Sequence, residues 1–291
     1  FTMAELLSGA PVAAGLCARV STGVTRLREQ GVIPTVAIVR VGERPADLSY
    51  ERGFVKRAQS LGIEVKRVLL PETVGEEELR SALEEINEDI HIHGCLLFRP
   101  LPQRLNTPAV LGMLRPEKDI DAMTSASMGG LMVQGTPGFP PCTATACMEL
   151  LEHYQVELQG KHVVMVGAGT TVGMPTAILL MNRGATVSVC NIYTDPQRMI
   201  ELCRGADIII SAAGKAGLIG GDHVAPGQVI IDVGLSLGAD GKLHGDVDFE
   251  AADPVVAAIT PVPGGVGAVT STVLAAHTVQ AALRAYGLDG I

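Results

Sequence analysis

The stretch from Lys161 to Pro175 restricts the possible folds of this chain more than any other segment. It reads Lys-His-Val-Val-Met-Val-Gly-Ala-Gly-Thr-Thr-Val-Gly-Met-Pro, so a run of β-branched and apolar residues ends at glycines. This order predicts a strand, a tight loop and a helix beginning near Gly173, whose unpaired N–H groups and dipole favour an anion. The pyrophosphate of a dinucleotide suits such a loop. The residues predicted to bind it are Gly167, Ala168, Gly169, Thr170 and Gly173.

The glycine spacing by itself leaves two interpretations open. It is Gly-x-Gly-x-x-x-Gly, longer than the common dinucleotide-binding fingerprint, and a glycine turn without a ligand is the alternative. The residues that follow favour the ligand site, because helical and apolar segments alternate at 173–183, 185–190, 196–203, 206–211 and 229–234. Such alternation is typical of a parallel sheet covered on both faces. We therefore predict a Rossmann-like, doubly wound dinucleotide-binding domain over 146–267.

The first half of the chain predicts a second α/β unit. An amphipathic pattern predicts a helix over 4–29, and further strands and helices alternate at 34–41, 48–61, 64–70, 76–90 and 92–98. A last helix over 270–286 should pack back onto this part. The predicted fold class is α/β, with two α/β domains and a cleft between them: residues 1–145 plus 268–291 form one domain, and 146–267 form the other.

Charge and cysteine usage exclude several classes of function. The formal net charge is -9 and no basic stripe occurs, which argues against nucleic acid and anionic membranes as partners. The six cysteines are scattered without a Cys-x-x-Cys pair, so we expect buried free thiols rather than disulfides or a zinc site, and no metal. No apolar span of roughly 18 residues and no signal-like segment are found, so we expect a cytoplasmic protein that acts on a small molecule.

Two loops carry further candidate residues. Residues 259–267 form a Pro-x-Pro-Gly-Gly loop, in which prolines fix φ and Gly264 and Gly265 would let the backbone approach a ligand. An ordinary tight connection before the last helix is the alternative. Residues 116–122 hold Asp119 and Asp121 one residue apart, a pair that is more often a solvated turn or a cap than a site.

Over nearly its whole length the chain resembles the methylenetetrahydrofolate dehydrogenase/methenyltetrahydrofolate cyclohydrolase family of one-carbon metabolism. The motifs that carry the resemblance are Val41-Gly42 with Ser49-Tyr50, Pro116 to Asp121, Gly138 to Thr143, Val172 to Pro175, Gly214-Lys215, Ile231 to Gly234, Asp240 to Phe249 and Thr260 to Gly267. The resemblance implies folate in the cleft, a nicotinamide dinucleotide on the second domain, and a homodimer joined through the nucleotide-binding domains. It implies that Tyr50 and Asp121 are catalytic, with Asp121 contacting the pterin ring. It also implies substrate contacts at Tyr50, Phe98, Asp121, Pro263, Gly264 and Gly265, and a cofactor contact at Leu235.

The chain departs from the family pattern at two positions that serve the cyclohydrolase step. The family Lys four residues after the Tyr is Phe54 here, and the family Gln of the Val-Gln-Leu-Pro-Leu-Pro motif is Phe98. Lys56 would point about 240° away from Tyr50 around the helix axis, and Arg99 stays protonated and is a poor proton shuttle. We therefore predict a dehydrogenase with weak or absent cyclohydrolase activity. An ordinary bifunctional enzyme and a non-catalytic folate or dinucleotide binding module are the alternatives.

The residues at the positions where the family binds the 2′-phosphate of NADP indicate the cofactor. The family commonly reads the 2′-phosphate of NADP with Arg or Ser in the glycine loop and after the second strand, but these positions are Ala168 and Ile192. Asp195 would repel a phosphate, although Arg183 or Arg198 could supply the charge instead. We predict NAD rather than NADP, with tolerance of either as the alternative. We also expect the 263–265 loop to line the cleft near Tyr50 and Asp121.

Overall fold

The computed structural model describes residues 3–133, 138–238 and 241–291, and it divides them into two compact units. The first unit contains residues 3–13 and Thr143–Thr270, and the second contains Ala14–Cys142 and Ser271–Ile291. The first residues of the chain thus group with the glycine loop, whereas the sequence analysis assigned them to the other domain.

The elements alternate along both units. The strands are β1 (Glu5–Leu6), β2 (Thr35–Val41), β3 (Glu64–Leu70), β4 (Gly94–Leu97), β5 (His162–Val166), β6 (Thr186–Cys190), β7 (Ile208–Ser211), β8 (Val229–Asp232), β9 (Ser236–Leu237), β10 (Leu243–His244) and β11 (Ala258–Ile259). The α-helices are α1 (Gly9–Glu29), α2 (Pro45–Ser60), α3 (Glu76–Glu88), α4 (Thr107–Leu111), α5 (Ser125–Gly130), α6 (Cys142–His153), α7 (Gly173–Asn182), α8 (Pro196–Arg204), α9 (Phe249–Ala252) and α10 (Thr270–Ala285). Short 3-10 helices lie at Pro116–Lys118, Gly221–His223 and Val266–Ala268.

The first unit is built on a parallel sheet with the strand order β1-β11-β8-β7-β5-β6. Its central strands are buried on both faces: Val163, Val164 and Met165 are each 0% exposed. This confirms the predicted Rossmann-like α/β class. The chain leaves β5 for β6 on one side and later returns to β7 on the other, so a topological switch point lies at the carboxyl ends of β5 and β7. Ligands of open α/β sheets bind at such a point.

The second unit contains a parallel sheet with the order β3-β2-β4. Helix α3 covers it with Leu79, Leu83 and Ile86, whose spacing places them on one helix face and which are at most 2% exposed. The helix begins with Glu76, Glu77 and Glu78, whose charges suit the positive end of its dipole. The second βαβ unit predicted from the sequence is therefore present.

The N-terminal prediction was wrong over its first residues. The chain from 4 to 8 does not begin a helix, because Glu5–Leu6 pairs with β11 and adds an edge strand to the first sheet. Helix α1 begins only at Gly9, whose N–H donates to the Gly264 carbonyl at 2.8 Å. A strand of two residues has no periodicity from which it could be predicted. The antiparallel pair β9–β10 was not predicted for the same reason.

Several composition-based expectations can be compared with the structure. All six cysteines are free thiols and five of them are buried, as predicted. Over residues 3–133, 138–238 and 241–291, no helix is long and apolar enough to cross a membrane. In the same described part of the chain, no group of three or more His, Cys, Asp or Glu side chains could hold a metal ion.

Candidate functional site

The glycine loop of the first unit has the geometry of an anion site. Gly167 follows β5 with φ of +103°, and a Cβ there would lie 2.5 Å from the Ala212 carbonyl oxygen at the end of β7. A Cβ on Gly173 would lie 1.9 Å from the Gly167 carbonyl oxygen. Helix α7 therefore begins directly against the loop, at the switch point. Gly169 is different, since it is exposed and no other atom lies within 4 Å of an added Cβ.

The N-terminus of α7 offers few N–H donors, because the Met174 N–H donates to the Gly169 carbonyl at 3.0 Å and Pro175 has no N–H. Val172 occupies the N-cap position and has no side chain that could cap the helix. Uncapped N–H groups at a helix N-terminus are typical phosphate donors. Ala168 is partly buried beside the loop and Thr170 is exposed, so both predicted binding residues border the same opening.

Two buried aspartates fix the loops that leave β7 and β8. Asp246 accepts hydrogen bonds from Ser211 Oγ at 2.8 Å and from the N–H groups of Ala213 and Lys215 at 2.6 and 2.8 Å. Asp232 accepts from the N–H groups of Gly234, Asp246 and Val247 at 2.9 to 3.0 Å. Burial raises the pKa of Asp232 to about 6, although its backbone donors act in the opposite direction. Neither carboxylate was predicted to have a role. The position of Asp232 at the end of the apolar strand β8 is the feature from which a role could have been predicted.

A pocket of about 630 Å³ opens beside Asp232 in the same unit. Its lining includes His244, Phe249 and Thr260, and none of the loop residues from Gly167 to Gly173. Leu235, which was predicted to contact the cofactor, is not part of the lining and is 61% exposed.

The turn after β6 presents two large side chains to solvent. Asn191 Oδ1 accepts from the Tyr193 N–H at 2.9 Å, and this turn leaves Ile192 and Tyr193 89% and 87% exposed. Asp195 is used locally, since it caps α8 by accepting from the Arg198 N–H at 3.0 Å. The turn lies beside the glycine loop, because Gly167 N–H donates to the Cys190 carbonyl at 2.9 Å.

The two arginines that could have read a phosphate have other partners. Arg198 pairs with Glu201 at 3.2 Å, and Arg183 pairs with Glu152 at 3.5 Å. Both pairs are well exposed and therefore weak.

In the second unit, the structure brings Tyr50, Phe98 and Asp121 together. The Tyr50 and Phe98 rings meet edge to face, with centroids 5.9 Å apart and planes at 80°. Tyr50 is 38% exposed, but desolvation on its inner side raises the pKa of the phenol, and the adjacent Cys142 and Asp121 raise it further. Tyr50 is therefore a neutral hydroxyl at ordinary pH and not a proton acceptor.

The two aspartates of the 116–122 loop have different roles. Asp119 is fully buried and accepts from the N–H groups of Met123 and Thr124, both at 2.8 Å, so it is a structural cap. Asp121 accepts from the Cys142 N–H at 2.8 Å through Oδ1, while its Oδ2 lies 3.9 Å from the Arg99 guanidinium. Burial raises the pKa of Asp121, and Cys142 and Arg99 counteract this rise. Ala122, where the family has Gly, adopts φ of +48°.

His277 of α10 also positions this loop, and the sequence analysis did not identify it. Its Nδ1 donates to the Ile120 carbonyl at 2.8 Å and lies 3.6 Å from Cys142 Sγ. Burial lowers the pKa of His277 to about 4, so the ring is neutral at ordinary pH. The Phe139 ring packs on it at a centroid distance of 4.8 Å. A histidine inside an apolar helix gives no signal for this role.

The proline-glycine loop of the first unit has a local explanation for its glycines. Gly264 has φ of +103°, and a Cβ on Gly265 would lie 2.6 Å from the Pro261 carbonyl oxygen. Pro263 and Gly264 are exposed, so they are open to a ligand as well. The predicted closeness of this loop to Tyr50 and Asp121 stays a prediction.

Comparison with known families decides the relationship of this chain. Residues 7–121 match the family model described as tetrahydrofolate dehydrogenase/cyclohydrolase, catalytic domain, and residues 141–286 match its NAD(P)-binding domain. The chain belongs to the tetrahydrofolate dehydrogenase/cyclohydrolase family. It is thus a member of a family of oxidoreductases of folate one-carbon metabolism, with a domain for a nicotinamide dinucleotide.

Individual relatives match this chain over nearly their whole length. The bifunctional protein FolD of Carboxydothermus hydrogenoformans is 43% identical over 281 residues, covering 96% of this chain and 97% of that protein. The FolD structure from Campylobacter jejuni superposes with a TM-score of 0.92 at 36% identity, covering 96% and 99% of the two chains. The Trypanosoma brucei dehydrogenase-cyclohydrolase, solved with NADP and an inhibitor, gives 0.91 at 35% identity and covers 98% and 99%.

Phe54, at the family Lys position, is a core residue of the second unit. Phe54 is 1% exposed and lies within the interior of the second unit, although it is only about 40° from Tyr50 around the axis of α2. Phe98 is half-buried and contacts Tyr50. Lys56 is exposed.

Proposed function

We propose that this chain oxidises 5,10-methylenetetrahydrofolate to 5,10-methenyltetrahydrofolate with a nicotinamide dinucleotide, and that its cyclohydrolase activity is weak or absent. The proposal depends on which functional positions of the family this chain keeps and which it replaces by apolar residues. The glycine loop, Tyr50 and Asp121 are retained, whereas the family Lys and Gln positions are the apolar Phe54 and Phe98. Phe54 is 1% exposed, so it offers no group to a substrate.

The glycine loop fits a dinucleotide. Gly167 and Gly173 leave no room for side chains, so the backbone of the loop that precedes α7 can approach a pyrophosphate closely at the helix N-terminus. The bound dinucleotide supplies the hydride acceptor. The loop residues hold and orient it through the backbone.

The two reactions of the family demand different groups. Hydride transfer needs mainly proximity and orientation of the reacting carbons. Hydrolysis of the methenyl product needs proton transfer, for which a positioned acid or base contributes roughly 10²–10⁴-fold. Tyr50 is held neutral, and the His277 Nδ1–H is used by the Ile120 carbonyl. The residues around Asp121 are therefore better suited to binding the folate substrate than to hydrolysing the methenyl product.

A bifunctional enzyme is the second candidate, and the relatives favour it. The proteins that are 43% and 36% identical are named as bifunctional. In such an enzyme another group, such as Arg99 or a water chain, would replace the missing lysine. A non-catalytic binding module is the third candidate, motivated by the two phenylalanines.

One experiment separates these candidates. Reduced cofactor and methenyltetrahydrofolate are followed separately with purified protein. We expect dehydrogenase turnover, with enzymatic hydrolysis of the methenyl product at least about 100-fold slower, as loss of general acid–base help implies. Comparable rates would establish the bifunctional enzyme, and binding without turnover would establish the module.

We further propose NAD as the preferred cofactor. The turn after β6 carries the apolar Ile192 at the position where the family commonly has a phosphate-binding side chain, and the glycine loop carries Ala168. A phosphate there would lose hydration without a charge-assisted hydrogen bond. The NADP bound by the Trypanosoma brucei relative supports the opposite choice. We expect kcat/KM to favour NAD by about tenfold and Ile192→Arg to reduce that ratio, whereas a tenfold preference for NADP would overturn the proposal.

Assembly and location follow from the same resemblance. We propose a homodimer joined through the nucleotide-binding domains, acting in the cytoplasm, where thiols such as the buried Cys142 and Cys147 remain reduced. Light scattering at micromolar concentration should give twice the mass of the chain.

A further inference from the structure

Arg99 lies beside Asp121 in the second unit. As a poor proton shuttle, it needs another explanation for this position. It follows Phe98 directly, and its side chain is 32% exposed. Its guanidinium lies 3.9 Å from Asp121 Oδ2, which is longer than a hydrogen bond. Asp121 is itself 24% exposed at its side chain and is fixed through Oδ1 by the Cys142 N–H. A cation and a carboxylate thus stand side by side, both partly open and not closed onto each other.

The chemistry of this pair fits one edge of a pterin. The 2-amino-4-oxo pyrimidine ring presents two N–H donors, from the amino group and N3, next to one acceptor, the C4 carbonyl oxygen. A carboxylate accepts two parallel hydrogen bonds and a guanidinium only donates, so an adjacent pair complements this donor-donor-acceptor order. Tyr50 and Phe98 add aromatic surface beside the pair.

We propose that Arg99 is a specificity-determining residue that donates to the C4 carbonyl oxygen of the pterin, while Asp121 accepts from the amino group and N3. The proposal rests on the folate substrate proposed above. It assigns to this chain a preference for 4-oxo over 4-amino pteridines, because a 4-amino group would direct a donor at the guanidinium. Burial raises the pKa of Asp121, and the Cys142 N–H and the Arg99 guanidinium offset part of this rise.

Other charged and titratable groups lie near Asp121, and their protonation states must stay constant in a test of Arg99. They are Tyr50, Asp119, Cys142 and His277. Tyr50, Cys142 and His277 are neutral at ordinary pH, because burial raises the pKa of the phenol and the thiol and lowers that of the imidazole. Measurements at one pH near neutrality therefore isolate the contribution of Arg99.

The test measures binding of folic acid and of its 4-amino analogue by calorimetry. The variants are Arg99→Leu, Arg99→Lys and, as a matched loss of one positive charge, Lys56→Leu at an exposed position. We expect Arg99→Leu to reduce the affinity ratio of the 4-oxo to the 4-amino ligand at least about tenfold, within the range for a charged hydrogen bond. Arg99→Lys should retain part of the ratio, and Lys56→Leu should retain it within about threefold.

A kinetic readout distinguishes recognition from folding. Arg99→Leu should raise KM for methylenetetrahydrofolate about tenfold while kcat changes less than about threefold, as loss of uniform binding implies. The denaturant unfolding transition of Arg99→Leu should match that of the unaltered protein, which verifies that the second unit is folded. An unchanged 4-oxo to 4-amino ratio in Arg99→Leu, or binding of neither pteridine by the unaltered protein, would overturn the inference. Dehydrogenase turnover of the unaltered protein tests the proposed function separately, because the ligand ratio is measured without turnover.

Discussion

The loop 167–173 and the residues around Asp121 are built in opposite ways. The loop acts through backbone, and its requirements are spatial: Gly167 and Gly173 have no room for a Cβ. The region around Asp121 acts through side chains brought from distant positions, namely Tyr50 on α2, Arg99 after β4 and His277 on α10. The geometry of the loop therefore requires glycines without a Cβ, whereas the region around Asp121 requires particular side chains.

This difference explains where the chain kept the family pattern and where it departed. A backbone site tolerates no substitution at its crowded glycines, but it is indifferent to the chemistry of exposed neighbours. A side-chain site can exchange a polar group for an apolar one and retain its fold. Phe54 illustrates this, because it is absorbed into the core at 1% exposure. Loss of one chemical step is thus compatible with an intact second unit.

The largest expected effect tests whether Phe54 belongs to the core rather than to the site. Phe54→Ala should lower the free energy of unfolding by about 3–5 kcal/mol, because it leaves a cavity at a fully buried position. Phe98→Ala, at a half-buried position, should cost less than about 2 kcal/mol but should raise KM for the folate. Denaturant titrations and steady-state kinetics measure both. If Phe54→Ala proved nearly neutral in stability but strongly changed KM, position 54 would belong to the ligand site.

The second effect tests the spatial requirement of the loop. Gly173→Ala places a Cβ 1.9 Å from the Gly167 carbonyl oxygen, so the helix start must move and dinucleotide affinity should fall about 100-fold, about 2.7 kcal/mol. Gly169→Ala is the matched control, since no atom lies within 4 Å of its added Cβ. It should leave stability within about 0.5 kcal/mol and reduce affinity less than about tenfold. Equal losses from both substitutions would show that crowding against Gly167 does not govern the site.

Sequence reasoning predicted the backbone-built region better than the side-chain cluster. Apolar runs and glycine spacing report on local geometry, so β5, the loop and α7 were expected at almost their observed bounds. The role of His277 could not be expected, because its contact with Ile120 joins positions 157 residues apart and depends on how α10 packs. Edge strand β1 was missed because two residues carry no pattern. The ion pair of Arg99 with Asp121 was missed because Arg99 was considered only as a proton shuttle.

The smallest expected effect concerns pH, and it should be confined to the side-chain-built region. Burial lowers the pKa of His277 to about 4, below the value of 6.5 for an unperturbed histidine. The unfolded chain therefore binds a proton between these values that the folded protein does not, so stability is fully present above pH 6.5 and falls as the pH approaches 4. Between roughly pH 7 and 5.5 the loss from this group should be about 1 kcal/mol.

The matched variants for this effect are His277→Gln and His93→Gln. Burial also lowers the pKa of His93 to about 4, so the two histidines should contribute separate and similar slopes. Denaturant titrations at both pH values measure them, and each variant should flatten the pH dependence by its own share. His277→Gln, unlike His93→Gln, should also weaken folate binding, because the His277 ring donates to the Ile120 carbonyl next to Asp121 in the chain. Residues 167–173 contain no titratable side chain, so dinucleotide affinity should stay within about twofold over the same range. A dinucleotide affinity that followed the His277 titration would show that the contrast between the two regions is wrong.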